Sequence, residues 1–180
     1  KIAFIGRLEK IKGFDSFCCS IEIFNKMSIC NLIEFYIIGY GSLEKDAISL
    51  QNKYENVHYL GKMNNKDIYT FISAIDCSVN LTICTETMGG AGLSNSLLES
   101  IFSNNLIIAW NTVNFNQILN DESAFLVPQN DIDSLVDVYK FILNNRDDCK
   151  KKRKKAESIV QEFDFEHHML NFSNFVIGNK

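Results

Sequence analysis

The chain has 180 residues, 46% of them hydrophobic and 22% charged, with a formal net charge of -4 at pH 7. This composition supports a core of ordinary size and excludes a disordered or fibrous chain. The negative balance also removes the global positive field that nucleic-acid binding draws on, so no nucleic-acid partner is expected and any anion site has to be built locally.

The first residues, Lys1-Ile2-Ala3-Phe4-Ile5, read as a strand that starts at once, as expected of a domain cut from a longer protein whose native amino terminus lies elsewhere. Further strands are predicted at Phe35 to Ile38, Val57 to Leu60, Cys77 to Leu81, Leu106 to Ala109 and Ala124 to Val127. Helices are predicted near Gly13 to Met27, Leu43 to Tyr54, Lys66 to Ile75, Ser96 to Ser103, Ile132 to Asn144 and Cys149 to Glu162. Strand and helix in strict alternation predict one α/β domain over 1–180, a doubly wound parallel sheet of Rossmann-like type, with 163–180 as a helical tail. The sole proline, Pro128, is expected just after a strand.

The six cysteines, Cys18, Cys19, Cys30, Cys77, Cys84 and Cys149, form no C-x-x-C pair and no regular frame, so a reduced, cytoplasmic compartment is expected. Each reads as a small buried hydrophobe, with Cys84 set apart by its position beside a glycine-rich loop. No secretion signal is evident, and no run approaches the roughly eighteen apolar residues of a membrane span.

Doubly wound sheets bind ligands beyond the carboxyl ends of their strands, so the segments after each strand carry the chemistry. After the first strand, Gly6 and Gly13 flank Arg7 and Lys12, and the tight turn lets both cations converge on one phosphate or remain solvated. At an effective dielectric near 20, a cation about 4 Å from a phosphate contributes on the order of 4 kcal/mol of Coulomb attraction. After the second strand comes Gly39-Tyr40-Gly41, a weak partial match to the dinucleotide fingerprint because Glu44 stands at the third glycine position. The third strand ends in Gly61-Lys62 without the acidic residue that would hold a cofactor ribose, so no nicotinamide or flavin cofactor is expected.

The run Gly89-Gly90-Ala91-Gly92-Leu93-Ser94-Asn95-Ser96-Leu97-Leu98-Glu99 is a glycine-rich loop entering a helix, whose first amides attract phosphate. Spacing alone favours an S-x-x-E capping box for Ser96 and Glu99. Lys150-Lys151-Lys152-Arg153-Lys154-Lys155 reads as a solvated helical face, with contact to anionic lipid as the alternative. His167 and His168 are adjacent, a spacing that points to surface or packing residues, and no metal site is expected.

Taken in order, Gly6-Arg7-Leu8, Lys12-Gly13, Ile37-Ile38-Gly39-Tyr40-Gly41, Val57-His58-Tyr59-Leu60-Gly61 and Gly92-Leu93-Ser94-Asn95-Ser96-Leu97-Leu98-Glu99 resemble the carboxyl-terminal domain of family 4 (group 1) GT-B glycosyltransferases. Gln117-Ile118-Leu119, Phe125-Leu126-Val127-Pro128 and Phe163-Asp164-Phe165 extend the likeness over nearly the whole chain. The resemblance implies a retaining, hexosyltransferase-type enzyme of polysaccharide or glycolipid biosynthesis, with a nucleoside diphosphate sugar as donor substrate and no cofactor.

By the same resemblance, Arg7 and Lys12 neutralise the departing diphosphate, the amides of Ser94, Asn95, Ser96 and Leu97 add hydrogen bonds, and Glu99 holds the ribose. Gly6 belongs to the donor-binding loop, Gly39 and Gly41 clear space for the nucleotide, and the backbone of Tyr59, Leu60 and Gly61 up to Lys62 lines the base pocket. Gly92 and Leu93 complete the donor loop.

The pattern departs at Ala91, where the family carries a glutamate that contacts the donor sugar. Either Glu86 takes over that role, or another sugar is recognised, or activity is weakened. The implied partners are an amino-terminal acceptor domain missing from this chain, a glycan or lipid-linked acceptor, and a peripheral contact with the inner face of a membrane. The domain alone is expected to bind donor without turnover, and an apolar patch involving Phe172 and Phe175 is expected where the missing half docks. A non-catalytic sugar-nucleotide-binding or scaffold module is the alternative.

Overall fold

Six parallel strands run through the described residues of the computed structural model, 1–84 and 95–161. In chain order they are β1 (Ile2–Ile5), β2 (Phe35–Ile38), β3 (Val57–Gly61), β4 (Cys77–Asn80), β5 (Leu106–Asn111) and β6 (Phe125–Pro128). Between and after them lie α1 (Phe14–Phe24), α2 (Glu44–Lys53), α3 (Asn65–Ile72), α4 (Asn95–Phe102), α5 (Ile132–Asn144) and α6 (Arg146–Gln161). The spatial order is β3-β2-β1-β4-β5-β6, with every pairing parallel. Strand order therefore reverses between β1 and β4, and the crevice at their carboxyl ends is the switch point at which such sheets take ligands.

The strands are short apolar runs because both faces of the sheet are covered. Packing of α1 on α5 and α2 closes one face, and packing of α4 on α6 and α3 closes the other. Phe14, Phe17, Ile21 and Phe24 recur at helical spacing, and all four are fully buried. The rings of Phe14, Phe17 and Phe24 meet Phe4 and Phe35 at centroid distances of 5.1 to 6.0 Å, and burial of each such ring contributes about 1.5–3 kcal/mol. Tyr139 of α5 joins this cluster and sets its hydroxyl 3.0 Å from Ser20 Oγ, which also donates to the Phe17 carbonyl, so the buried polar pair is satisfied.

All six predicted strands and the six helices predicted between Gly13 and Glu162 are present, several with shifted ends. The first helix stops at Phe24, short of Met27, and Asn25 at its end turns its side-chain amide onto the Ile21 carbonyl. The last helix starts at Arg146, where Asp147 and Asp148 in the first turn favour a helix start. Pro128 is the final residue of β6 and does not follow it; β6 is an edge strand, where a missing N–H costs no ladder bond. Glu86, Ala91, Gly92, Leu93 and Ser94 of the glycine-rich loop lie outside the described residues. So do the tail 163–180, His167, His168, Phe172 and Phe175.

Candidate functional site

Backbone hydrogen bonds zip together the loops at the carboxyl edge of the sheet. Gly6 N donates to Ile38 O at 3.0 Å, Leu8 N to Tyr40 O at 3.0 Å, Leu43 N to Leu8 O at 2.9 Å, and Gly39 N to Gly61 O at 2.9 Å. Leu8 is fully buried and anchors the first loop, while Arg7 before it is exposed and Glu9 after it is half-buried. A Cβ at Gly39 would fall 1.8 Å from the Gly6 carbonyl oxygen, and one at Gly41 would fall 2.6 Å from that of Leu8. The room these glycines provide is thus occupied by the first loop itself, and any service to a ligand runs through the loop they seat.

On its other side the first loop is bound to the segment after β4. Ile83 N donates to Ile11 O at 2.9 Å, and Gly13 lies against Leu81. The loop carrying the two cations therefore sits at the switch point, held from both flanks. A short 3-10 turn, Lys10–Lys12, brings Lys12 back towards Arg7.

Lys12 is half-buried, and its ammonium pKa is held below the ordinary lysine value, first by burial, then by the neighbouring Arg7 guanidinium, with Glu9 acting in the opposite direction. Among the described residues it makes no ion pair. Two cations that mutually raise their energy in one small loop form an electrostatic arrangement that an anion relieves. Glu9 provides part of that relief, with its carboxylate oxygens 2.9 and 3.2 Å from Arg7 Nη1.

The β3 end of the crevice carries a feature that alternation alone did not reveal. Ile37 pairs with Tyr59 but Ile38 pairs with Gly61, so Leu60 is bulged out of the ladder and is 38% exposed. Tyr59 is committed to the fold: its amide donates to Gln51 Oε1 at 2.7 Å, and its hydroxyl lies 2.7 Å from Glu44 Oε1 and 3.1 Å from the Gly39 carbonyl. Burial, followed by that carboxylate, pushes the phenol up to about 12. Tyr40, which sequence reasoning passed over, presents an exposed ring with Lys62 Nζ 5.1 Å from its centroid. The available signal was an aromatic residue between two glycines just beyond a strand.

Asn95, Ser96 and Leu97 form the first turn of α4, which descends from the carboxyl edge of the sheet. Ser96, expected at the cap, lies inside this turn, so the S-x-x-E spacing reflects helix periodicity here, with Ser100 Oγ bonded back to the Ser96 carbonyl at 2.7 Å. The Leu97 side chain is fully buried, so it cannot itself reach a ligand. Glu99 is half-buried one turn further down, and its carboxylate makes no ion pair among the described residues. Cys84, at the entrance to the glycine-rich loop, is held through its backbone by Gln129, which accepts from Cys84 N at 2.8 Å and donates to Cys84 O at 3.2 Å.

The model of the family described as "Glycosyl transferases group 1" matches residues 1–145. The chain belongs to the group 1 glycosyl transferases. No curated protein sequence matches it. Among solved structures, HepE of Anabaena in complex with UDP superposes with a TM-score of 0.77 at 13% identity, over 98% of this chain and 48% of that one. The carboxyl-terminal domain of the group 1 protein LpcC of Francisella tularensis gives 0.72 at 18% identity, over 89% of this chain and 83% of that one. The pneumococcal O-GlcNAc transferase GtfA in complex with UDP and GlcNAc gives 0.73 at 17% identity, over 98% of this chain and 35% of that one. At these identities the likeness is one of fold: a Rossmann-like domain of the kind that forms the carboxyl-terminal half of GT-B enzymes. The chain spans about half the length of HepE and about a third of GtfA.

Much of the basic block of this glycosyl transferase domain is tied into the fold. Lys152 Nζ donates to the Asp121 carbonyl and, at 3.0 Å, to that of Ala124, with the Phe125 ring 4.7 Å away. Arg153 donates to the Asp76 carbonyl at 3.0 Å. Lys150, Lys151 and Lys155 pair with Asp147, Asp148 and Glu122. Among the described residues no helix is long and apolar enough to cross a membrane, and no group of three or more His, Cys, Asp or Glu side chains is placed to hold a metal.

Proposed function

We propose that this domain binds a nucleoside diphosphate sugar for a retaining glycosyl transfer, with the diphosphate seated on Arg7, Lys12 and the first amides of α4. The observation that carries this reading is the Arg7–Lys12 pair in a loop bonded to both of its neighbours at the switch point. As the C1–O bond to the diphosphate breaks, the departing group takes the electron pair, and charge grows where both cations already stand. The acceptor hydroxyl forms the new glycosidic bond and passes its proton to an oxygen of the departing diphosphate. Pre-set cations stabilise that developing charge without reorganising.

In this reading Glu99 holds the ribose, and the bulged Leu60 with Gly61, the exposed Tyr40 ring and Lys62 frame the base. The complexes of HepE and GtfA with UDP support uracil as the first base to test. The acceptor, a glycan or glycolipid, is brought by an amino-terminal half, so the domain alone binds donor without turning it over. Thermal unfolding with UDP, GDP, ADP and their sugars is the direct test. A ligand at a hundred times its dissociation constant adds about 2.7 kcal/mol of stability, and no shift with any of them would overturn the reading.

Ala91, standing where the family pattern has a glutamate, favours a second reading as a binding module without transferase activity. Transfer by the full-length protein that is lost in Arg7→Ala supports the enzyme. Donor binding with neither transfer nor donor hydrolysis supports the module.

A further inference from the structure

The first loop brings its own anion to the cations. Glu9 N donates to Arg7 O at 2.9 Å, folding residues 7 and 9 towards each other, and the Glu9 carbonyl accepts from Lys12 N at 3.0 Å and Phe14 N at 3.4 Å. The backbone of Glu9 is thereby fixed, and its carboxylate stands on a rigid turn with both oxygens on Arg7 Nη1. Its side chain is 30% exposed against 60% for Arg7. The same carboxylate acts on Lys12, where it opposes the effect of Arg7.

We propose that Glu9 is a built-in counter-ion that competes with the donor's diphosphate for Arg7, weakening nucleotide binding and speeding its release. The inference rests on the function proposed above and adds a residue that sets affinity at that site. An arriving diphosphate has to detach Arg7 from Glu9, and then lies beside a carboxylate. When the diphosphate leaves, Glu9 takes the guanidinium back, so Arg7 is not left bare. Removing the carboxylate while keeping its shape therefore tightens binding, chiefly by slowing dissociation, and release is a step that limits turnover in many enzymes. Exposed ion pairs are individually weak, which sets the expected effect at about threefold to fivefold.

The test is a double-mutant cycle on the 180-residue chain, with Glu9→Gln, Arg7→Ala and the double variant titrated with UDP and with inorganic pyrophosphate. Calorimetry reads the tight cases, and NMR shifts at millimolar ligand read the weak ones. Glu9→Gln is expected to bind UDP about threefold to fivefold more tightly than wild type, with a slower off-rate in stopped flow. In the Arg7→Ala background the gain is expected to shrink to the small part that comes from removing a carboxylate beside the diphosphate.

Wild-type binding that Glu9→Gln leaves unchanged or weakens would show that Glu9 positions Arg7 and does not compete for it, and would overturn the proposal. An equal gain with and without Arg7 would also overturn it, because Glu9 would then act by its charge alone. If wild type binds neither UDP nor pyrophosphate, the donor-site reading fails first and the inference goes with it.

Discussion

Gly13 and Leu81 meet so closely that a Cβ on residue 13 would lie 2.2 Å from the Leu81 carbonyl oxygen. This contact fastens the loop after β1 to the segment after β4, the two strands between which chain order reverses. Gly13 also has a φ of +71°, in the left-handed region that L side chains rarely adopt. Gly13→Ala is therefore expected to lower unfolding stability by more than about 2 kcal/mol in urea titrations. Gly61 has a comparable φ of +67° but nothing within 4 Å of its Cβ position, so Gly61→Ala is expected to cost only about 1 kcal/mol. Equal costs at the two sites would show that the Leu81 contact is soft.

Lys12 is expected to trade stability for binding. Its folded pKa lies below the unfolded value of 10.5, because of burial and then Arg7. The charged ammonium is thus a cost to the fold that is fully present below the depressed pKa and disappears as pH rises through that pKa towards 10.5. Lys12→Met should raise the unfolding midpoint at pH 7 and gain less as the pH becomes alkaline. Pyrophosphate binding to wild type should fall off at a lower pH than an ordinary lysine would dictate. A midpoint lowered by Lys12→Met at neutral pH contradicts this account.

Gln129 should act on the donor loop at one remove. Its amide brackets Cys84 with two hydrogen bonds across 45 residues of sequence. Loss of both is expected to destabilise the fold by about 1–2 kcal/mol and to speed hydrogen exchange at the Cys84 amide. Gln129→Glu keeps the acceptor for Cys84 N and loses the donor to Cys84 O, so an intermediate exchange rate is expected. Unchanged protection at Cys84 in Gln129→Ala would remove this clamp from the picture.

The alternation of apolar runs with helical spacing made the sheet legible, because in a doubly wound fold each strand is buried on both faces and each helix on one. Right-handed crossovers then stack these elements into one doubly wound sheet, but the order β3-β2-β1-β4-β5-β6 was not legible. The partners of particular residues were not legible. Gly39 and Gly41 announce a close backbone approach, but sequence cannot say whether a ligand or the Gly6–Leu8 backbone makes it. Glu9 is simply the residue between a buried leucine and a short turn until the turn folds it onto Arg7. The bulge at Leu60 is a matter of register between β2 and β3, which no single strand encodes. In the basic block, helix rotation sends Lys152 and Arg153 inwards to carbonyl groups, and a run of like residues gives no hint of which ones turn in.

Isothermal titration of UDP into wild type, Arg7→Ala and Lys12→Ala, with circular dichroism confirming that each remains folded, tests the central claim most directly. The account predicts binding by wild type and a loss of at least about tenfold in each variant. Folded variants that bind UDP as tightly as wild type would contradict it.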